Sequence, residues 1–324
     1  MKTLITGGLG FLGYHLAELL ESKGHEVIIV DNLQSNVIDP EIASCRFEVF
    51  EKSIMDINFN HMQFDIIYHL ASPVGPVGVL KYSGQLAEMI LNDSNKIRDV
   101  CLAKGKPFIY ISSSEIYGHC DQLDEDSQKV FPNCYTVRSE YGAAKMLAEI
   151  SLVNKARVSD LRYQIIRPFN VAGPRQSPTG GFVLPRFIYQ ALNNNDITVY
   201  GTGLQKRAFT DVRDMVDAIY YLSINENYNN IWNVGNSVNE MTIGGIALKV
   251  IETLNEMGIK TSSNIINIDP KILHGDLFEE VTDKIPYAKK LYSNGWNPKY
   301  SFNDTIRDAI LEIIERISHG KGRC

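Results

Sequence analysis

Apolar residues along this chain recur with two alternating periods. Short runs rich in Ile, Val, Phe and Tyr occupy 2–6, 26–31, 46–50, 65–71, 108–113 and 163–167, and they read as buried strands. Between them, residues 12–23, 86–104 and 140–158 carry apolar positions at helical spacing. Strands separated by helices imply an α/β fold, a doubly wound parallel sheet covered on both faces and joined by right-handed crossovers.

After Arg167-Pro168 the alternation becomes irregular. Helices are predicted over 182–192, 214–224, 242–256, 287–294 and 303–317, with short strands at 198–200 and 209–212. In the last helix Ile306, Ile310, Ile313, Ile314 and Ile317 form one apolar stripe, read as core packing. The expected division is a first domain over 1–167 and a smaller C-terminal α/β substrate domain over 168–324. Later segments are free to return to the first sheet.

Composition narrows the function classes. The chain has 324 residues, 44% apolar and 22% charged, with a net charge of -6. It carries no basic block, so nucleic acid is not an expected partner. Neither a signal-peptide pattern nor an apolar run of membrane-spanning length is present, so no membrane association is expected. Five scattered cysteines (Cys45, Cys101, Cys120, Cys134, Cys324) form no metal-ligand cluster. They fit reduced thiols in a cytoplasmic protein, with no metal.

Candidate chemistry begins at the first strand's end. Gly7, Gly10 and Gly13 follow that strand and open a helix. Small residues there let a backbone approach a pyrophosphate, and the helix N-terminus adds positive potential. The spacing is GxxGxxG, equally at home in a tight turn without a ligand. Asp31 ends the second strand, where a carboxylate accepts from adenosine ribose hydroxyls. No arginine follows in Asp31-Asn32-Leu33 to meet a 2′-phosphate, which selects NAD over NADP. Asp56, after the third strand, is a weaker candidate for the adenine amine.

Ser112-Ser113-Ser114 closes the fifth strand, at the end where such sheets bind ligands. Farther on, Tyr141 and Lys145 stand at i and i+4 on one helix face. A nearby ammonium favours the phenolate, so the spacing predicts a Tyr141 lowered by Lys145 and able to take a proton from a hydroxyl. Glycines, acid, serines and YxxxK in this order form a Rossmann-type NAD site joined to a proton path.

Together these segments resemble the extended short-chain dehydrogenase/reductase family of nucleotide-sugar epimerases, dehydratases and decarboxylases. The resemblance spans nearly the whole chain. It rests on TGGLGFLG (6–13), DNL (31–33), YHLASP (68–73), SSSEIYG (112–118), YGAAK (141–145), RPFNVAGPR (167–175), VYGTG (199–203) and QKRAFTDVRD (205–214). It implies a catalytic set of Ser113, Tyr141, Lys145 and Glu115. Further cofactor contacts are implied at Phe11, Leu12, Asn32, Ile57, Leu70 and Ala71. The implied substrate, a nucleotide-diphosphate sugar, meets Ser114, Asn170, Tyr200, Arg207 and Lys284, with Arg207 pairing the diphosphate. Homodimers through the helices at 86–104 and 140–158 are also implied.

The implied reaction oxidises the sugar C4 hydroxyl to a ketone, followed by epimerisation or by decarboxylation. Dehydratases of the family carry Asp-Glu where this chain has Ser114-Glu115, which argues against dehydration. Ser-Glu resembles the decarboxylases, but two of their arginines fall at Phe182 and Lys284. The loop at 73–78, PVGPVG, either admits a bulkier sugar or only shapes the backbone. Two other readings remain. One is net 4-dehydrogenation, marked by released keto sugar and NADH. The other is a non-catalytic dinucleotide sensor, which a fully active Tyr141→Phe protein would indicate.

Overall fold

Strand β1 (Lys2–Thr6) is apolar on both faces, and the sheet builds outward from it in the computed structural model. The structure describes residues 1–120, 122–131, 135–269, 271 and 283–318, so Cys134 and Cys324 lie outside the described residues. On one side of β1 lie β2 (Glu26–Asp31) and then β3 (Glu48–Glu51). On the other lie β4 (Ile66–His69), β5 (Phe108–Ile111) and β6 (Tyr163–Pro168). All pairs are parallel. The chain order therefore reverses between β1 and β4, the crevice where doubly wound sheets bind ligands.

Side-chain alternation along the strands divides the interior into two layers. Ile5, Ile29 and Ile66 face α1 (Phe11–Ser22) and α7 (Val212–Ser223), meeting Leu16, Leu20 and Ile219. Leu4, Ile28 and Ile67 face the other way, toward α4 (Leu86–Lys104) and α5 (Val137–Arg157), meeting Ile97 and Leu152. Each such side chain contributes roughly 1.5–3 kcal/mol when fully buried. Two short helices, α2 (Pro40–Ser44) and α3 (Gly75–Lys81), complete this half.

A third core forms after β6. Here α6 (Val183–Leu192), α8 (Ile243–Glu256) and α10 (Phe302–Ser318) bury Phe187, Ile246, Val250, Ile306 and Ile310 together. Ile313 is buried with them and Ile314 packs at the edge, but Ile317 is exposed, so the predicted stripe ends one turn early. Small strand pairs frame this core: β7 (Val171–Ala172) with β10 (Thr210–Asp211), β8 (Ile197–Tyr200) with β13 (Ile265–Ile268), and β9 (Lys206–Ala208) with β12 (Glu240–Thr242).

Some boundaries differ from the sequence reading. Residues 209–212 were expected as one strand; β10 covers only Thr210–Asp211, and Asp211 caps α7 by accepting from the Arg213 N–H at 2.8 Å. The expected helix at 287–294 is shorter, α9 (Lys289–Ser293). An unanticipated strand, β11 (Asn230–Val234), pairs in parallel with β6 and becomes the seventh strand of the main sheet. Chain beyond residue 168 thus returns to the first sheet, both as β11 and as α7 against α1.

His69, at the end of β4, ties the central strands together. Its Nδ1 lies 2.7 Å from the Thr6 hydroxyl, and its Nε2 3.4 Å from that of Ser94 on α4. Burial pushes its pKa down to about 3, helped by the Lys145 charge. The folded protein therefore keeps the ring neutral, whereas the unfolded chain takes up a proton below about pH 6.5. Stability from this site is complete above that pH and is lost as pH falls toward 3. Urea unfolding should show His69→Asn losing about 1–2 kcal/mol less stability than the parent between pH 7 and pH 5. Parallel curves for the two proteins would refute a neutral buried His69.

Candidate active site

The glycine turn after β1 packs backbone on backbone. A Cβ on Gly13 would lie 2.0 Å from the Gly7 carbonyl oxygen and 2.8 Å from the Gly8 Cα, so only glycine fits the first turn of α1. Gly10 caps that helix without a side-chain hydrogen bond, which leaves its first N–H groups for a ligand. Leu70 and Ala71 follow β4 and lie directly against Gly7. Asp31 holds the turn from the β2 end. Its carboxylate accepts from the Leu9 N–H at 3.0 Å and the Leu33 N–H at 2.8 Å. Burial raises its pKa against those two bonds. Each oxygen keeps a lone pair, so ribose hydroxyls can still donate to it. This cradle fits a dinucleotide.

Other expected cofactor residues are spread out. Phe11 meets the His15 ring edge-on, and Leu12 packs on the α1 core. Asn32 is exposed and accepts from the Gln34 N–H. Asp56 is exposed in a 3₁₀ turn, Ile57 beside it is largely buried, and both border a groove that Lys2, at the start of β1, also lines.

At the β5 end, Ser113 caps a 3₁₀ turn over 114–117, its hydroxyl accepting from the Glu115 N–H at 3.1 Å. The neighbouring Ser113 and Ser72 hydroxyls favour the ionised form of the Tyr141 phenol. Burial nevertheless pushes the Tyr141 phenol above its ordinary value, and the Glu115 charge adds to that. The expected lowering by Lys145 is not seen. The Lys145 Nζ stands 6.0 Å from the Tyr141 ring centre and donates to the Ile111 carbonyl at 3.0 Å. Its own burial brings it down to about 7, opposed by Glu149 and Asp93. The i, i+4 spacing places the pair on one face, but desolvation of the phenolate outweighs an ammonium at that distance.

Glu115 sits between two cations. Arg138, on α5 and one turn before Tyr141, grips it through Nε at 2.7 Å and Nη2 at 3.0 Å. Lys284 reaches it at 2.6 Å. Although burial pushes the carboxyl up, Lys284 and Arg138 hold it well below the usual carboxylate range. It is therefore an ionised anchor at neutral pH and not a proton donor. Burial brings Lys284 down to about 8, with Glu115 opposing. Lys284, expected as a substrate cation, is thus already shared with Glu115.

The remaining expected residues frame this cluster. Ser114 is buried behind Ser113. Asn170, in a left-handed conformation, donates to the Ala208 and Lys284 carbonyls, both at 3.2 Å. Arg207 lies on β9, where its backbone bridges to Lys284. Tyr200 ends β8 under the Arg186 side chain. The expected loop at 73–78 is in fact the entry to α3, and Phe182 packs against it. Gly75 has φ +73°, and a Cβ there would come within 2.5 Å of the Phe182 ring. The glycine makes room for that ring. Arg138, Ser72 and Arg186 were missed from sequence; Arg138 alone left a signal, sharing the helix face of Tyr141 three residues away.

Comparison with known proteins gives this geometry a context. The profile of the family described as "NAD dependent epimerase/dehydratase family" matches residues 3–235. A UDP-N-acetyl-alpha-D-glucosaminuronate decarboxylase from Bacillus cytotoxicus is 32% identical over 317 residues, covering 95% of this chain and 96% of that protein. UDP-glucuronic acid decarboxylase 1 of Xenopus tropicalis is 32% identical over 325 residues, covering 98% of this chain and 73% of that protein. Among solved structures, UDP-glucose 4-epimerase from Thermotoga maritima with UDP-glucose superposes with a TM-score of 0.84 at 25% identity, covering 98% of this chain and all (100%) of the other.

The Gly13 packing is directly testable. Gly13→Ala should reduce the dinucleotide released on denaturing the purified protein at least about tenfold, because α1 must move off the turn that cradles it. An unchanged dinucleotide content would remove the close approach from the account.

Proposed function

The chain belongs to the NAD dependent epimerase/dehydratase family, and from that premise we propose that it oxidises C4 of a nucleotide-activated sugar acid and then removes its C6 carboxylate. NAD held by the glycine turn at 7–13 and Asp31 would supply the hydride acceptor, with no net NADH formed over a turnover. Tyr141, in its phenolate form, takes the proton from the C4 hydroxyl, and Ser113 orients that oxygen. Lys145 stays near neutrality and supports the proton path behind Tyr141. With a ketone at C4, a C6 carboxylate is a β-keto acid. The C5–C6 bond breaks, carbon dioxide leaves, and its electron pair forms an enolate that is then protonated at C5.

The observation that carries this branch is the Glu115, Arg138 and Lys284 cluster. Two cations around one carboxylate leave a net positive charge beside the Ser113 and Tyr141 hydroxyls. Such a place suits one more carboxylate. The named activities of the full-length relatives support the same branch. A second reading is C4 epimerisation, favoured by the apolar Phe182 ring and by the likeness to the Thermotoga epimerase.

Holoenzyme incubated with UDP-glucuronate, UDP-N-acetylglucosaminuronate, UDP-glucose and UDP-N-acetylglucosamine decides between them. A product lighter by carbon dioxide than its sugar-acid substrate, with no net NADH, is the expected result. A C4 isomer of a neutral sugar would assign epimerisation, and a released keto sugar with stoichiometric NADH would assign net dehydrogenation.

The protein also acts as a homodimer through α4 and α5 in this reading, within the cytoplasm. Leu147 and Ile150 lie on one face of α5 and stay 48% and 46% exposed in the single chain. Cys45, Cys101 and Cys120 are free thiols, as a reducing compartment allows. No helix among the described residues is long and apolar enough to cross a membrane. Light scattering should give a dimer mass, and Leu147→Glu with Ile150→Glu should give the monomer. A monomeric parent protein would refute the pairing.

A further inference from the structure

Helix α6 holds a cation that the mechanism above leaves unused. Arg186 lies one turn beyond Phe182, with its guanidinium 3.9 Å from the centre of the Tyr200 ring and 5.2 Å from that of Phe187. Its Nε–H is shut off from water and has no acceptor. Burial lowers its pKa, and the Tyr200 hydroxyl is the only group that counters this. Other part-buried arginines are matched with acids: Arg138 with Glu115, Arg167 with Glu149, Arg175 with Glu18 and Arg213 with Asp211. Among the described residues no carboxylate pairs with Arg186. A cation withdrawn from water without a counter-charge is costly unless a ligand brings one.

Its surroundings indicate which ligand. The Tyr200 carbonyl accepts from the Gln205 side chain at 3.0 Å, Arg207 follows two residues later, and the Arg207 backbone bridges to Lys284. Arg186 therefore adjoins, through Tyr200, the strand that carries Arg207 and leads to the Glu115 cluster. We propose that Arg186 binds the diphosphate of the nucleotide sugar, its guanidinium held over the Tyr200 ring with N–H groups to donate to phosphate oxygens. A planar fork with an unspent N–H suits a phosphate better than a point charge does. The inference rests on the nucleotide-sugar reading above.

Calorimetric titration of NAD-loaded protein with UDP and with uridine tests it. Arg186→Met keeps the apolar stem over Tyr200. It should weaken UDP binding at least about tenfold, flatten the salt dependence of UDP affinity, and leave uridine binding unchanged. Arg186→Lys should recover part of the UDP affinity, and both variants should retain their NAD. Equal weakening of UDP and uridine would mean that Arg186 only steadies Tyr200, and would overturn the diphosphate role. Unchanged UDP binding in Arg186→Met would overturn it as well. A parent protein that binds none of UDP, GDP, CDP and dTDP would instead sink the nucleotide-sugar reading, and this inference with it.

Discussion

The site depends on a buried ion pair that touches none of the proposed chemistry. Glu149 on α5 meets Arg167 on β6 through two bonds, at 3.0 and 2.7 Å, and both residues are almost wholly buried. Such a pair loses its hydration, and only good geometry with further hydrogen bonds offsets that cost. Here the bonds are present. The Ser112 hydroxyl donates to Glu149, and Arg167 donates to the Tyr117 hydroxyl at 2.8 Å. Tyr117 in turn donates to Asn233 on β11. Because Glu149 lies one turn beyond Lys145, the pair sets the rotation of α5 against the sheet. Arg138, Tyr141 and Lys145 take their places from that rotation.

Burial then shapes the electrostatics. The protein as a whole is acidic, yet Arg138 and Lys284 converge on Glu115, and the Arg207 backbone bridges to Lys284. Net charge describes the surface facing solvent, whereas ligand charge is read by groups withdrawn from it. The same withdrawal brings Lys145 to about 7 and Lys284 to about 8. Both ammonium groups can then exchange protons near neutral pH, which fully solvated lysines do not. Tyr141 moves the other way, so its activation depends on the neighbouring Ser113 and Ser72 hydroxyls and on charge arriving with the ligands.

Much of this was legible in the sequence because it follows from period and punctuation. Runs such as LIT and VIIVD can be little else than buried strands, and a glycine-spaced turn between strand and helix points to a phosphate cradle only in company with Asp31, the serines and YxxxK. The gaps have physical causes. Strand β11 was overlooked because Asn230 and Asn233 interrupt its apolar pattern; Asn233 is polar since it binds Tyr117 and the Leu123 carbonyl inside the protein. The segment at 73–78 read as a loop through its glycines and prolines, yet a helix begins at Gly75, and proline is at home in a helix's first turn. Spacing also put Tyr141 and Lys145 on one face without saying how deep they lie, and depth decides their ionisation. Ser72 comes to Tyr141, and Arg186 to Tyr200, from separate elements, a proximity that no local pattern encodes.

The balance between carboxylate loss and epimerisation turns on one coupled pair of positions. Phe182 fills the space that Gly75 leaves, and any side chain at 75 would collide with the ring. Neither residue is therefore informative alone, since the ring needs the glycine and the glycine is explained by the ring. With an aromatic side chain at 182, a sugar carboxylate must draw its counter-charge from Arg138 and Lys284, which already hold Glu115. An incoming anion then competes with Glu115 for the same donors. It gains from their surplus positive charge but not from a dedicated arginine. Such a site can still take a carboxylate, because Arg138 and Lys284 bring two positive charges to the one negative charge of Glu115. Discrimination against neutral sugars is correspondingly weaker than a reserved bidentate arginine would give.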